Sequence, residues 1–332
     1  MSSVIGVDLG GTKVIAAPLE EGRLGESSIE RTELSGAEAL IAQIARLVEG
    51  VKGDRLDAVG IGVPSIVEWK TGRVISSVNV PLADLPLREV LGRRLGVPVF
   101  VDNDANVAAL AEAHDSELRL VAHNLVMLTV GTGVGGGIVI GGRIFRGATG
   151  GAGELGHTLV GLDISRSVPA PGERFPQPGS LEDVASGHAL DHLAEVCASQ
   201  HVDSALGRLQ AEGKEVLGPE AVEAAQAGDE AAARVVSLWG ERVGVGIANA
   251  INTFDPDEVV IGGGAARAGE LLLEPARRVA SEYVLPGLRG TAGIRLAWHG
   301  VRAGMFGAAL LAAQELEMGS AVEAVAAEGR AT

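Results

Sequence analysis

Val4-Ile5-Gly6-Val7-Asp8-Leu9-Gly10-Gly11-Thr12-Lys13, residues 4–13, is a short apolar run broken by an aspartate and two adjacent glycines. Such a run reads as a strand entering a tight turn. The paired glycines let backbone amides approach an oxyanion, and Thr12 and Lys13 add a hydroxyl and a cation, so the turn can cradle a phosphate. It is not a Walker loop, because the four-residue gap before the second glycine and the Gly-Lys-Ser/Thr ending are both absent. A plain hairpin turn fits the same residues. Val130-Gly131-Thr132-Gly133-Val134-Gly135-Gly136-Gly137 repeats the pattern, so two lobes that open on the same hairpin are expected. Gly131, Gly133 and Gly136 have dinucleotide-fold spacing, but that fingerprint needs a helix next. Ile138-Val139-Ile140-Gly141-Gly142 follows instead, with the β-branched pattern of a second strand.

Outward from these turns, apolar strands are predicted at Val4 to Val7, Ala58 to Val63, Val99 to Val101, Leu125 to Val130 and Glu258 to Ile261. Several lack polar alternation, which implies burial on both faces in an α/β layer. Leu40, Ile41, Ile44, Leu47 and Val48 form one helical stripe, and Val235, Trp239, Val243, Ile247 and Ile251 another. Both are core faces and carry no chemistry. Gly161 to Gly179 is rich in Pro, Gly and Ser and reads as a loop. The 332 residues exceed one ordinary core, so two domains are expected, with a cleft between two lobes as the default ligand site.

The formal charge of -16, with Lys13, Lys52, Lys70 and Lys214 as the only lysines, repels nucleic acid and anionic membrane over most of the surface. A single cysteine, Cys197, allows no internal disulfide and no multi-thiolate metal site, which suits a reducing compartment. No charged region followed by an apolar stretch of signal-peptide length opens the sequence, so a cytoplasmic location is expected. Leu125 to Gly142 runs 18 residues without a charge, but its seven glycines would leave amides unsatisfied in lipid. Strand, turn and strand is the reading.

Two further segments bear reactive side chains. Asp102-Asn103-Asp104-Ala105-Asn106 lies where a strand ends and an alanine-rich helix begins at Ala105 to Glu112. Asp104 there is either a helix cap or a carboxylate at the mouth of the sheet, where ligands bind. Gly153-Glu154-Leu155-Gly156-His157 sets an acid and a histidine three apart, facing one way on a helical turn. Without cysteines nearby they suit a hydrogen-bonding pair better than a zinc site, with Glu182 a third candidate member.

Five segments in order now stand together: DLGGTK from Asp8, NDAN from Asn103, GTGVGGG from Gly131, GELGH from Gly153 and VVIGGG from Val259. In these the chain resembles the ROK family of sugar kinases and repressors, within the actin-like ATPase superfamily. The resemblance runs from Val4 to about Leu316 and implies an α/β, two-lobed, ribonuclease H-like fold, each lobe a mixed sheet flanked by helices. It implies a small lobe from residues 1–115 plus 301–318, a larger lobe from 116–300, and a frayed tail at 319–332. By the same match Asp8, Gly10, Gly11, Thr12 and Lys13, with Gly131, Thr132 and Gly133, form the two phosphate turns. Gly262, Gly263 and Gly264 fall where the family binds adenosine. Asn79, Asn103, Asp104, Glu154, His157 and Glu182 fall where it grips the sugar, and Asp104 falls at the catalytic base. The implied function is ATP- and Mg²⁺-dependent phosphorylation of a hexose hydroxyl, with glucose first and mannose, fructose or an N-acetylhexosamine behind; a homodimer is expected as the commonest assembly of cytoplasmic enzymes. Polyphosphate is the alternative donor.

Two departures from the family stand out. Its cysteine-rich zinc motif aligns here with Glu173, Phe175 and Ser180, so no structural zinc is expected, and Pro169, Pro171, Pro176 and Pro178 are expected to stiffen the loop instead. Ser65 stands where many members carry glycine, and Val80-Pro81 follows Asn79 in place of Leu-x-Trp. A repressor needs a helix-turn-helix module before the first strand, where this sequence supplies three residues. A sugar-binding protein without catalysis would be expected to tolerate loss of Asp104, which is present.

Overall fold

The computed structural model describes residues 2–20, 22–165 and 167–328. Along the chain run β1 (Val4–Leu9), β2 (Lys13–Glu20), β3 (Arg23–Leu24), β4 (Ser28–Arg31), α1 (Ala37–Val51), β5 (Ala58–Val63), β6 (Ser65–Glu68), β7 (Arg73–Ser77), α2 (Leu87–Leu95), β8 (Val99–Asn103) and α3 (Asp104–Glu112). There follow β9 (Leu125–Val130), β10 (Val134–Ile140), β11 (Arg143–Ile144), α4 (Leu181–Ala185), α5 (Gly187–Gln200), α6 (Ala205–Ala211), α7 (Gly218–Gln226), α8 (Glu230–Phe254), β12 (Glu258–Gly262), α9 (Glu270–Tyr283), β13 (Gly293–Leu296) and α10 (Ala303–Glu328). Two compact units result. The first takes the chain up to His123, Gly137–Gly153 and the stretch from His299 on; the second takes Asn124–Gly136 and Glu154–Trp298.

In the first unit β1 lies between an antiparallel β2 and a parallel β5, and β8 runs parallel on the far side of β5. Alternation along β2 explains why this sheet is apolar on both faces. Val14 and Ala16 join the cluster that holds Leu40, Ile41 and Ile44 of α1, whereas Ile15 and Ala17 pack with Met305 of α10. The α10 backbone passes so close to β5 that a side chain on Gly60 would start 1.7 Å from the Ala308 carbonyl oxygen. Register then places the functional segments. Asp8 and Asp102 both stand opposite Gly62, so the β1 turn and the β8–α3 junction leave the sheet at one carboxyl edge.

In the second unit β12 lies between β9 and β13, parallel to both. The predicted stripe Val235, Trp239, Val243, Ile247 and Ile251 is buried along α8. Trp239 Nε1 donates to the carbonyls of Ala185 (2.8 Å) and Ser186 (3.1 Å), satisfying the one polar atom of that face. The uncharged run from Leu125 forms β9, a glycine turn and β10, and no helix of the described residues is long and apolar enough to cross a membrane.

One local expectation is corrected: α3 begins at Asp104, not Ala105, because Asn103 supplies the cap. Residues 329–332 of the expected tail lie outside the described residues.

Candidate functional site

In the first unit the 10–13 turn is closed by the Gly10 amide donating to the Lys13 carbonyl at 2.9 Å. Thr32, 6% exposed, buttresses it: its amide donates to the Thr12 carbonyl (3.0 Å) and its hydroxyl to the Gly10 carbonyl (2.7 Å). Thr12 and Lys13 stay exposed, and Asn79 lies against Gly11. The Asp8 carboxyl is half-buried where α10 begins. A Cβ on Gly304 would fall 2.5 Å from its carboxyl carbon, so only glycine leaves room for the acid there. Burial pushes the Asp8 carboxyl up to about 6, with Lys13 pulling the other way.

Across β5 on the same edge, Asn103 caps α3. Its Oδ1 accepts from the amides of Ala105 (2.9 Å) and Asn106 (3.3 Å), and its Nδ2 donates to the Ser65 carbonyl at 3.4 Å. The capping role open to Asp104 therefore belongs to Asn103. Asp104 is the first helical residue, half-buried, and its carboxylate accepts from the Ala105 amide at 2.8 Å. Negative charge is favoured at this end of a helix. Ser65 is buried and its hydroxyl donates to Ser77 Oγ (2.9 Å) across the β6–β7 hairpin. The departure from glycine is thus absorbed by a cross-strand bond, while its carbonyl orients Asn103.

In the second unit the Gly131 amide donates to the Gly133 carbonyl (2.9 Å), and the Gly187 amide at the start of α5 donates to the Gly131 carbonyl (2.7 Å). Glu182 stands directly behind this turn, its Oε2 accepting from the Val134 amide at 2.8 Å. A cavity of about 450 Å³ opens beside it, lined by Gly131, Thr132 and Gly264 of the predicted set. Gly262 and Gly263 do not line it: they back onto Met127 and the Val130 carbonyl. Leu217, Val222, Trp239, Glu223, Gln226 and Arg267 are among its other walls. Sequence reasoning missed these six, because they come from separate elements whose local patterns are those of ordinary amphipathic helices. A second cavity of about 540 Å³ shares Thr132 and His188 with the first and is lined also by Gly133, Glu182, His192 and Arg242.

Glu154 and His157 approach across a 3₁₀ turn at Leu155–His157, with Oε2 and Nε2 3.7 Å apart. At that separation they are side-by-side neighbours, beyond the reach of a direct hydrogen bond between them. The His157 ring meets Phe175 edge-on at 5.2 Å. Ser180 caps α4, its hydroxyl accepting from the Asp183 amide at 3.2 Å. Phe175 and Ser180, two of the residues aligned with the zinc cysteines, are therefore engaged in packing and capping, and none of the three supplies a thiolate. A side chain does much of the loop's organising: Gln177 Oε1 accepts from the Gly172 amide (2.6 Å), and its Nε2 donates to the carbonyls of Gly172 (3.0 Å) and Arg174 (3.2 Å).

With this geometry in place, comparison with known proteins is decisive about kinship. The ROK family model matches residues 4–315. The glucokinase of Halalkalibacterium halodurans is 34% identical over 336 aligned residues, spanning 96% of this chain and 98% of that protein. The xylose repressor of Caldicellulosiruptor bescii is 31% identical over 296 residues, spanning 85% of this chain and 71% of the repressor. A ROK family glucokinase from Streptomyces griseus, solved with glucose and AMPPNP, superimposes with a TM-score of 0.74 at 33% identity, covering 94% of this chain and 100% of the other. The chain belongs to the ROK family. Its fold is the actin-like ATPase fold of that family's sugar kinases, as the sequence resemblance implied.

Proposed function

We propose that this chain is an ATP-dependent hexokinase that phosphorylates glucose, with Asp104 as the general base. One observation carries the proposal: parallel register brings the amide-lined turn after Asp8 and the Asp104 carboxylate to one edge of one sheet, either side of β5. Phosphoryl transfer asks a protein mainly to position donor and acceptor, neutralise charge and orient a hydroxyl. Asp104 accepts the proton of the sugar hydroxyl as it attacks the γ-phosphorus, and Asn103, locked by its cap, orients a neighbouring hydroxyl. Asn79, Glu154, His157 and Glu182 supply the remaining sugar contacts. Their mix of donors and acceptors selects a polyol over water.

The turns at Gly10–Lys13 and Gly131–Gly133 hold the phosphates through backbone amides, with Lys13 as a cation beside the first. The 450 Å³ cavity takes the nucleoside, its apolar walls meeting the base and Glu223, Gln226 and Arg267 meeting polar edges. A magnesium ion fits Asp8, a hard-oxygen donor beside the phosphate turn, since this ion binds through one or two carboxylates and substrate phosphates. Bound there it would neutralise phosphate charge. The glucose-and-AMPPNP complex of the Streptomyces griseus relative supports both ligands. A cytoplasmic homodimer accords with the single buried cysteine and the usual assembly of such proteins.

The test is a hexose panel (glucose, mannose, fructose, N-acetylglucosamine) offered with ATP–Mg²⁺ or polyphosphate, following ADP and sugar phosphate. Turnover best on glucose with ATP is expected. No turnover on any sugar defeats the kinase reading, and turnover with polyphosphate alone defeats the donor assignment.

A further inference from the structure

Asp102 is 3% exposed at the end of β8, one residue before the α3 cap. A carboxylate so deep is tolerated only when its oxygens are paired. Oδ1 accepts from the Asn103 amide (2.8 Å) and from Asn106 Nδ2 (2.9 Å), and Oδ2 accepts from Arg146 Nε at 2.6 Å. Arg146 comes from the turn after β11, with its side chain 16% exposed. Its Nη2 donates to Glu315 of α10 at 2.9 Å, and its guanidinium lies 5.4 Å from the centre of the Trp69 ring. The carbonyl of Arg146 accepts from the amides of Gly150 (3.1 Å) and Ala152 (3.3 Å), so the arginine is fixed at backbone and side chain alike.

The partners of Asp102 bracket Asp104 and Ala105. Asn103 and Asn106 both hang from Oδ1, and Asp104 lies between them on the same first turn. Movement of that oxygen therefore moves the turn and swings the Asp104 carboxylate. The sugar-facing side of this turn is set by Asn103, and its buried side is set by Asp102 and the arginine behind it.

We infer that Arg146 is a positioning residue for phosphoryl transfer: through Asp102 it fixes the first turn of α3 and thereby the direction in which Asp104 presents its carboxylate. The inference rests on the reading of Asp104 as base. It needs no contact between Arg146 and either substrate. A misplacement of the base by about 1 Å costs on the order of 100-fold in rate, whereas ground-state affinity is set by other groups.

The experiment is a double-mutant cycle of Arg146→Met and Asp104→Asn in the full chain, with kcat and the KM values for glucose and ATP–Mg²⁺ measured for each variant. Arg146→Met is expected to lower kcat about 100-fold with both KM values within about threefold of wild type. Arg146→Lys, which keeps the charge but not the fork, recovers about tenfold of that loss. Glu315→Gln, which weakens the arginine's other contact and leaves Asp102 paired, leaves kcat within about threefold. In the Asp104→Asn background Arg146→Met costs less than about threefold, because the group it positions is already gone. Equal losses in both backgrounds, a loss carried by KM, or wild-type kcat in Arg146→Met overturns the inference. If Arg146→Met does not fold, the same cycle is run with Arg146→Lys and judged by the same criteria on a loss of about tenfold. An Asp104→Asn variant as fast as wild type instead removes the base assignment, which keeps the two failures apart.

Discussion

Replacing Asp8 by asparagine should make the ligand-free protein more stable at neutral pH while crippling it. The Asp8 carboxyl is held up to about 6 from an ordinary 3.8, chiefly by burial, with Lys13 opposing. Its proton is therefore bound more tightly in the folded chain than in the unfolded one. Stability contributed by the neutral form is present below pH 3.8, is lost progressively as pH rises towards about 6, and stays lost above that. The interval corresponds to at most roughly 3 kcal/mol. An asparagine side chain cannot ionise and keeps the shape of the protonated acid, so the variant should gain up to that amount at about pH 8 and little near pH 4. The assay is urea unfolding of wild type and Asp8→Asn at both pH values, without nucleotide or magnesium. Activity moves the other way. If the ionised form serves the phosphates, wild-type kcat/KM for ATP–Mg²⁺ rises about tenfold between about pH 5 and pH 7, as the ionised fraction climbs from about a tenth to about nine-tenths. The variant is slower and loses this limb. Equal stabilisation at both pH values, or none at the higher one, refutes the burial argument; an unchanged limb in the variant refutes the assignment of Asp8 to the phosphates.

Three further outcomes follow from named contacts. Asn103→Ala removes the α3 cap and the bond to the Ser65 carbonyl, and should cost about 1 kcal/mol in chemical unfolding while raising KM for glucose; an unchanged KM separates the cap from the sugar. Trp239→Phe loses the bonds to the Ala185 and Ser186 carbonyls beneath the cavity proposed for the nucleoside, so about 1–3 kcal/mol of stability should go and KM for ATP should rise with kcat little changed; a normal KM for ATP would move the nucleotide elsewhere. Gln177→Ala cuts three hydrogen bonds of the loop that carries Phe175 against His157, and should raise KM for glucose several-fold with kcat within about twofold; a wild-type KM would detach this loop from the sugar.

Much of the architecture is legible in the sequence, because it rests on local signals. The double glycine after Asp8 ends β1 where the chain turns, and the stripes through Ile44 and Trp239 are buried as their spacing implies. The junction at Asn103–Asp104 is half legible. Two acceptors stand side by side there, and only the backbone geometry assigns the cap to Asn103 and leaves Asp104 inside the helix. What local pattern cannot carry is contact between distant segments. Arg146 lies 44 residues from Asp102, just before a glycine-rich stretch whose pattern points to Glu154 and His157 instead. The walls of the 450 Å³ cavity come from the turn after β9, α5, α7, α8 and the turn after β12, each unremarkable alone. In the proline-rich loop the hydrogen bonds of Gln177 to Gly172 and Arg174 likewise have no signal in the local composition.

Turnover by Asp104→Asn under saturating glucose and ATP–Mg²⁺ is where the catalytic reading can fail outright. Loss of a general base should lower kcat on the order of 100- to 10,000-fold while thermal stability and nucleotide affinity stay near wild type. A folded Asp104→Asn protein that still makes glucose 6-phosphate at the wild-type rate would contradict that reading.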